Sequence, residues 1–205
     1  MDRSRLERGI YQGKSFSLTF VCSGNRFRSP VAAGFMRAYL ASEPITVSSA
    51  GVRDYGEAGA LSDAVELAGR LGVDVSAHRS RTVASLDLSG IDLVLCFERT
   101  HLASAVVEGG ARSERAFLFL ELLELLEDLP EPAGDGGVER ARRLVAGAAA
   151  ARPDRLWPEA RYEFPDPLAG PRSDYPAIVA RLQELCLQLS ERLFGVPTAQ
   201  RTSVM

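Results

Sequence analysis

The chain alternates short unbroken apolar runs with stretches whose apolar residues recur every three or four positions. Phe16 to Cys22 (FSLTFVC) is apolar, β-prone and free of breakers, which predicts a strand. Gly24 and Asn25 follow as turn formers, and Pro30 opens a predicted helix through Leu40, because a missing N–H costs nothing at a helix start. Ile45 to Ser49 is a second strand, Leu61 to Leu71 a helix stopped by Gly72, and Ile91 to Phe97 a third, buried strand leading into a helix that ends near Val107. Ala116 to Leu120 reads as a fourth strand running into the leucine-rich ELLELLEDL. A last helix over Tyr175 to Phe194 places Ile178, Leu182, Leu185 and Leu189 on one face. Strands alternating with helices of about ten residues predict an α/β fold with a parallel sheet.

Three segments break the pattern. Residues 1–15 have no apolar period and read as a flexible N-terminal extension, and 196–205 read as a flexible tail. Between them, 130–160 changes composition (PEPAGDGG, an Arg/Ala-rich stretch, then RPDRLWPEA), and is expected to be an insertion in a single domain spanning 16–195, with a helix over Val138 to Ala151 inside a solvated excursion. The 205 residues suffice for one domain with its own core. With 24 basic against 27 acidic side chains the net charge is −3, which speaks against a nucleic-acid binder. No run is long and apolar enough for a membrane span, and the charged start lacks a secretory apolar stretch. Three scattered cysteines make no disulfide framework, so the expected location is cytoplasmic. Lys14 is the only lysine in an Arg-, Ala- and Gly-rich chain, the mark of a GC-rich bacterial genome.

The candidate chemistry sits after the first strand, at Cys22-Ser23-Gly24-Asn25-Arg26-Phe27-Arg28-Ser29-Pro30. A short loop curling from a strand into a helix can aim successive backbone N–H groups at one point, and the helix N-terminus adds its own. Arg28 offers a planar fork that matches two phosphoryl oxygens. Cys22 lies in the same positive field, which favours its nucleophilic thiolate, and Ser29 can donate to it. Gly24 and Asn25 tolerate the positive φ that a tight cradle needs. The competing reading is a structural cysteine beside a solvated arginine.

These residues resemble the phosphate loop of the low-molecular-weight protein tyrosine phosphatases, Cys-x-Gly-Asn-x-Cys-Arg-Ser-Pro, at six of its seven specified positions. Ser48-Ser49-Ala50-Gly51, Ala77-His78-Arg79-Ser80-Arg81, the strand Asp92 to Cys96 and Phe164-Pro165-Asp166-Pro167 are similar to later family segments, in order. The resemblance covers residues 16–129 and 161–194. It implies a three-layer sandwich, a four-stranded parallel sheet with helices on both faces and the phosphate loop after the first strand. It also implies hydrolysis of a phosphomonoester through a phosphocysteine, with no cofactor and no metal. Cys22 would be the nucleophile, Arg28 the oxyanion clamp and Asp166 the general acid, with residues Ser23, Gly24, Asn25, Arg26, Phe27, Arg28 and Ser29 cradling the phosphate. Asn25, Ser29, Ser49 and His78 would support the loop, and Arg26, Tyr55 and Leu168 would form the pocket wall. Asp-Pro is also a common turn pair, so Asp166 alone carries little. His101 is expected on a helix surface, and Cys96 and Cys186 in the core.

The chain departs from the family pattern at Phe27, at Arg26 and at Leu168 with Ala169. Phe27 replaces the second loop cysteine, so an oxidised Cys22 has no resolving thiol within the loop. Arg26 stands where relatives carry an aliphatic residue, and Leu168 and Ala169 where they place aromatic rings, pointing to weaker stacking and more positive charge. The partner is expected to be a phosphorylated substrate, either a phosphotyrosine protein or a small phosphomonoester, with no nucleic acid or membrane. The alternatives are a small-molecule phosphatase of a biosynthetic pathway, an arsenate reductase using an external thiol, and a non-catalytic phosphate-binding protein.

Overall fold

Along β1 (Phe16–Cys22) the side chains alternate between two cores. Phe16, Leu18, Phe20 and Cys22 join one apolar cluster and Val21 joins the other, as the two-residue period of a strand buried on both faces requires. The computed structural model describes residues 15–132, 136–152 and 158–195. Among these, β1, β2 (Ile45–Gly51), β3 (Leu93–Cys96) and β4 (Ala116–Leu118) form a parallel sheet in the order β2-β1-β3-β4. Cys22 pairs with Gly51 and Val21 with Cys96, so β1, β2 and β3 end at one edge.

Helices cover both faces, giving the expected three layers. On one lie α1 (Arg28–Tyr39), α2 (Ser62–Arg70), α4 (Phe119–Glu127), α5 (Gly137–Ala151) and α6 (Tyr175–Phe194); on the other lies α3 (Arg99–Val107), with Val83 and Leu88 of the preceding loop. The chain leaves β1 for β2 on one side and returns to β3 on the other. The crevice between the ends of β1 and β3 is therefore the topological switch point, where open α/β sheets bind ligands.

Several boundaries move for local reasons. The first helix begins at Arg28, two residues before Pro30, with no side-chain cap on its N-terminus. The third strand shortens because Asp92 turns its carboxylate onto Ser17, accepting from both N–H (2.9 Å) and hydroxyl (3.0 Å). The fourth ends at Leu118, whose N–H donates to Glu121 Oε2 at 3.1 Å and starts α4 two residues early.

The segment expected as a solvated excursion is corrected by α5. Val138, Ala141, Leu144, Val145 and Ala148 are buried in the main cluster, and Arg142 bonds the Ser15 carbonyl at 2.7 Å and reaches Asp92 at 3.3 Å. The extension and tail expected at 1–15 and 196–205 fall, apart from Ser15, outside the described residues. Leu144→Ala is expected to cost about 2–5 kcal/mol in urea unfolding, as for a core leucine. A cost below about 0.5 kcal/mol, typical of a surface position, would contradict the packing of α5.

Candidate active site

Asn25 holds the loop in shape. Its φ of +52° is the left-handed conformation an asparagine tolerates, and it is fully buried. Its amide is satisfied on all sides: Nδ2 donates to Ser29 Oγ (2.9 Å) and Ser49 Oγ (2.8 Å), while Oδ1 accepts from the Arg81 N–H (3.1 Å). His78 Nε2 lies 2.6 Å from the Asn25 carbonyl, which can only accept, so that nitrogen carries the proton. Burial, the largest cause, then lowers the His78 pKa and keeps the ring neutral. Asn25, Ser29, Ser49 and His78 thus meet as one network. Gly51 belongs to it as well, since a Cβ there would stand 2.8 Å from both Asn25 N and Gly24 C.

Four of the loop carbonyls bond to groups outside the loop. Cys22 O accepts from the Val52 N–H (3.0 Å), Ser23 O from Arg53 (2.9 Å), Asn25 O from His78 and Arg26 O from Leu61 (2.8 Å). In a trans peptide the following N–H points the opposite way, so the N–H groups of Ser23, Gly24, Arg26 and Phe27 turn toward the inside of the loop. The N–H groups of residues 24–27 find no acceptor among the described residues, which makes the loop a cradle for an anion. Cys22 lies at its base, nearly buried, with Ser29 Oγ 3.0 Å from Sγ. Because Ser29 accepts from Asn25, its own proton is left for the sulfur or, at 3.3 Å, the Ala50 carbonyl.

Arg28 is 2% exposed and paired on every side. Nη1 donates to Glu98 Oε1 (2.5 Å) and the Phe164 carbonyl (3.1 Å); Nη2 donates to Ser23 Oγ (2.9 Å) and lies 3.1 Å from Asp166 Oδ2. The structure therefore brings the late Asp-Pro segment onto the loop. Asp166 also serves its turn, accepting from the Leu168 N–H at 3.1 Å. At the rim, the Tyr55 ring lies against Gly24, where a Cβ would be 3.0 Å away, and the Arg26 guanidinium stands 5.7 Å from that ring. Leu168 is 59% exposed nearby in the chain to Asp166. The Phe27 side chain turns the other way, into the core, edge-on to Tyr175 at 5.2 Å, and only its backbone can serve the cradle.

Two residues went unrecognised in the sequence. Glu98 is the principal counter-charge of Arg28. His101, expected on a surface, is instead 1% exposed, with Nε2 3.0 Å from Ser23 Oγ and 3.8 Å from Glu98 Oε2. Burial first, then the charges of Arg28 and Arg53, push its pKa down to about 3. Nδ1 is buried without a partner, and an unmade N–H costs more there than an idle lone pair, so the proton sits on Nε2 and is donated to Ser23. Cys96 and Cys186 are buried and free, their thiols pushed up by burial. Among the described residues no three His, Cys, Asp or Glu side chains gather as a metal site.

Residues 17–147 match the sequence family described as Low molecular weight phosphotyrosine protein phosphatase. The chain belongs to this family. Its members are cysteine-based phosphatases, so the expected fold and enzyme class both stand. The low molecular weight protein-tyrosine-phosphatase Etp of Escherichia coli is 31% identical over 121 residues, 59% of this chain and 80% of that protein. Among solved structures, a low molecular weight protein tyrosine phosphatase from T. tengcongensis superposes with a TM-score of 0.61 at 26% identity, covering 87% of this chain and 99% of that one. The YwlE arginine phosphatase shares the fold at 22% identity and a TM-score of 0.61, covering 87% of this chain and 95% of its own. The shared fold therefore leaves open which group carries the phosphate.

Two outcomes test this phosphatase's loop and its buried histidine. Gly51→Ala must displace the loop backbone and is expected to lower phosphatase activity at least about tenfold, since an ångström of misplacement is that costly; unchanged activity would contradict the close approach. For His101, the unfolded chain gains a proton as pH falls below about 6.5, whereas the folded chain does not until about 3. The neutral ring's contribution to stability is thus complete above about 6.5 and drains away on acidification through that window. His101→Asn is expected to show a flatter melting temperature than wild type between pH 6.5 and 4; parallel profiles would contradict the buried neutral histidine.

Proposed function

We propose that this family member hydrolyses phosphotyrosine-type phosphomonoesters with Cys22, Arg28 and Asp166 as its catalytic residues. The observation that carries the reading is the meeting of Arg28 with Asp166 at 3.1 Å beside the Cys22 loop, which joins nucleophile, clamp and acid in one crevice. An incoming phosphoryl group settles on the inward N–H groups of the loop and takes over the Arg28 donor that Asp166 occupies. The Cys22 thiolate attacks phosphorus, the bond to the leaving oxygen breaks, and that oxygen takes the proton of Asp166. Water then attacks the phosphocysteine, gives its proton to Asp166, and the S–P bond breaks to release phosphate and thiolate. Arg28 and the amides supply the positive field throughout, so the chemistry asks for no metal.

Ser29 and Asn25 keep the thiolate and loop in register, with Ser49 and His78 behind them, while Arg26, Tyr55 and Leu168 wall the entrance. Burial of Cys96 and Cys186 speaks against an arsenate reductase that relays a disulfide through its own thiols; one that borrows an external thiol would reveal itself by arsenate-dependent thiol consumption. The presence of Asp166 on Arg28 favours turnover over phosphate binding alone. A bacterial cytoplasm is part of the same reading, supported by a bacterial relative and by three cysteines that stay unpaired. No helix among the described residues is long and apolar enough to cross a membrane.

Hydrolysis of p-nitrophenyl phosphate in chelator-treated buffer tests the assignment. Cys22→Ser is expected to abolish turnover, and Asp166→Asn to reduce kcat by about 100-fold or more, the usual worth of a general acid. Retained activity in folded Cys22→Ser would overturn it.

A further inference from the structure

The arginines divide into paired and unpaired sets. On the outer faces Arg70, Arg99, Arg142 and Arg161 each reach a carboxylate. Around the phosphate loop Arg26, Arg53, Arg79 and Arg81 reach none among the described residues, and each is anchored through neutral partners. Arg26 Nε donates to Gly59 O (3.0 Å), with its guanidinium 5.7 Å from the Tyr55 ring. Arg79 donates to the His78 carbonyl (2.8 Å). The backbone N–H groups of Arg53 and Arg81 bond Ser23 O and Asn25 Oδ1, fixing both residues against the loop. Arg37, Arg112 and Arg115 also lack a carboxylate, but Arg37 is tied to the Val47 carbonyl and the other two precede β4 at the far end of the sheet.

Close to these arginines in sequence stand Asp54, whose carboxylate accepts from the Gly56 N–H (2.7 Å), and Glu57, while Asp63 is paired with Arg172 and Asp166 with Arg28. Four arginines without a carboxylate partner against Asp54 and Glu57 leave this surface positive, although the whole chain carries −3. These cations are not needed for a bare phosphate, which has Arg28 and the loop amides. Arg53, Arg79 and Arg81 are exposed, on segments hydrogen-bonded to the loop or to its supporting His78. The entrance is also open: Tyr55 is 48% and Leu168 59% exposed, which suits an extended chain lying across it better than an enclosed metabolite.

We infer that the substrate carries further anionic groups beside the phosphoryl group it loses, as the acidic side chains of a phosphopeptide segment lying on Arg26, Arg53, Arg79 and Arg81. The inference rests on the proposed phosphatase reading and adds the substrate's neighbourhood to it. Opposed charges on an exposed rim raise association and affinity modestly and are screened by salt.

The test compares kcat/KM for two phosphotyrosine peptides of one sequence, flanked by Glu or by Gln, at low and high salt, with p-nitrophenyl phosphate run in parallel. Wild type is expected to favour the Glu peptide by about 5- to 20-fold at low salt, from several pairs each worth roughly 2- to 5-fold. Arg53→Gln and Arg26→Gln are each expected to cut that ratio by about 2- to 5-fold, and high salt to bring it near one. Equal rates on the two peptides, a ratio indifferent to both substitutions and to salt, or a small bisphosphate preferred over either peptide would overturn the inference while hydrolysis of p-nitrophenyl phosphate left the phosphatase reading standing. Folded wild type inactive on all substrates would overturn both.

Discussion

A guanidinium cannot be neutralised by giving up its proton, so Arg28, buried to 2% exposure, has to be surrounded by acceptors. Glu98, Ser23, the Phe164 carbonyl and Asp166 come from the turn after β3, the loop after β1 and the segment leading to α6. Removing one partner of a buried pair typically costs about 3–5 kcal/mol, so the charge proposed to clamp a phosphoryl group also ties these segments together. Ser23 extends the constraint to His101 on α3, which burial keeps neutral beside the cation. A second charge on that ring would repel Arg28, and the low pKa avoids it.

The other side of the loop is held by neutral hydrogen bonds. Asn25 uses both amide hydrogens and its oxygen, and His78 adds a donor to its carbonyl. Fixing the carbonyls outward is what turns the peptide N–H groups inward, so the proposed anion site is built before any anion arrives. Gly51 lets β2 approach closely enough for Ser49 to reach Asn25. The sheet order supplies the rest, because β1 and β3 diverge there and leave a crevice at their ends.

Much of this was legible in the chain. Apolar runs without breakers located β1 and β3, and the period in α6 placed Leu182, Leu185 and Leu189 on its buried face, while Ile178 is only partly covered. The spacing from Cys22 to Arg28 pointed to the anion cradle, which depends on consecutive residues. Long-range partners were harder. Glu98 looks like any surface acid until the end of β3 is placed beside the end of β1, although residues just past parallel strands are where ligand contacts gather. His101 sits one turn before Ala105, on the buried face with Leu102, but the polar Arg99 and Thr100 beside it masked that face. Composition misled over 130–160: alanine and arginine read as solvated, yet Ala141 and Ala148 pack close to the core and Arg142 reaches across to Asp92.

The account stands on covalent capture of phosphorus by Cys22. Its most direct test is mass spectrometry of the protein quenched by rapid denaturation during turnover of p-nitrophenyl phosphate, with the peptides mapped. One phosphoryl group on the sulfur of the peptide that contains Cys22, present during turnover and gone once substrate is spent, is the predicted result. Steady hydrolysis with no adduct on Cys22 at any time, or with the phosphoryl group on another residue, would contradict it.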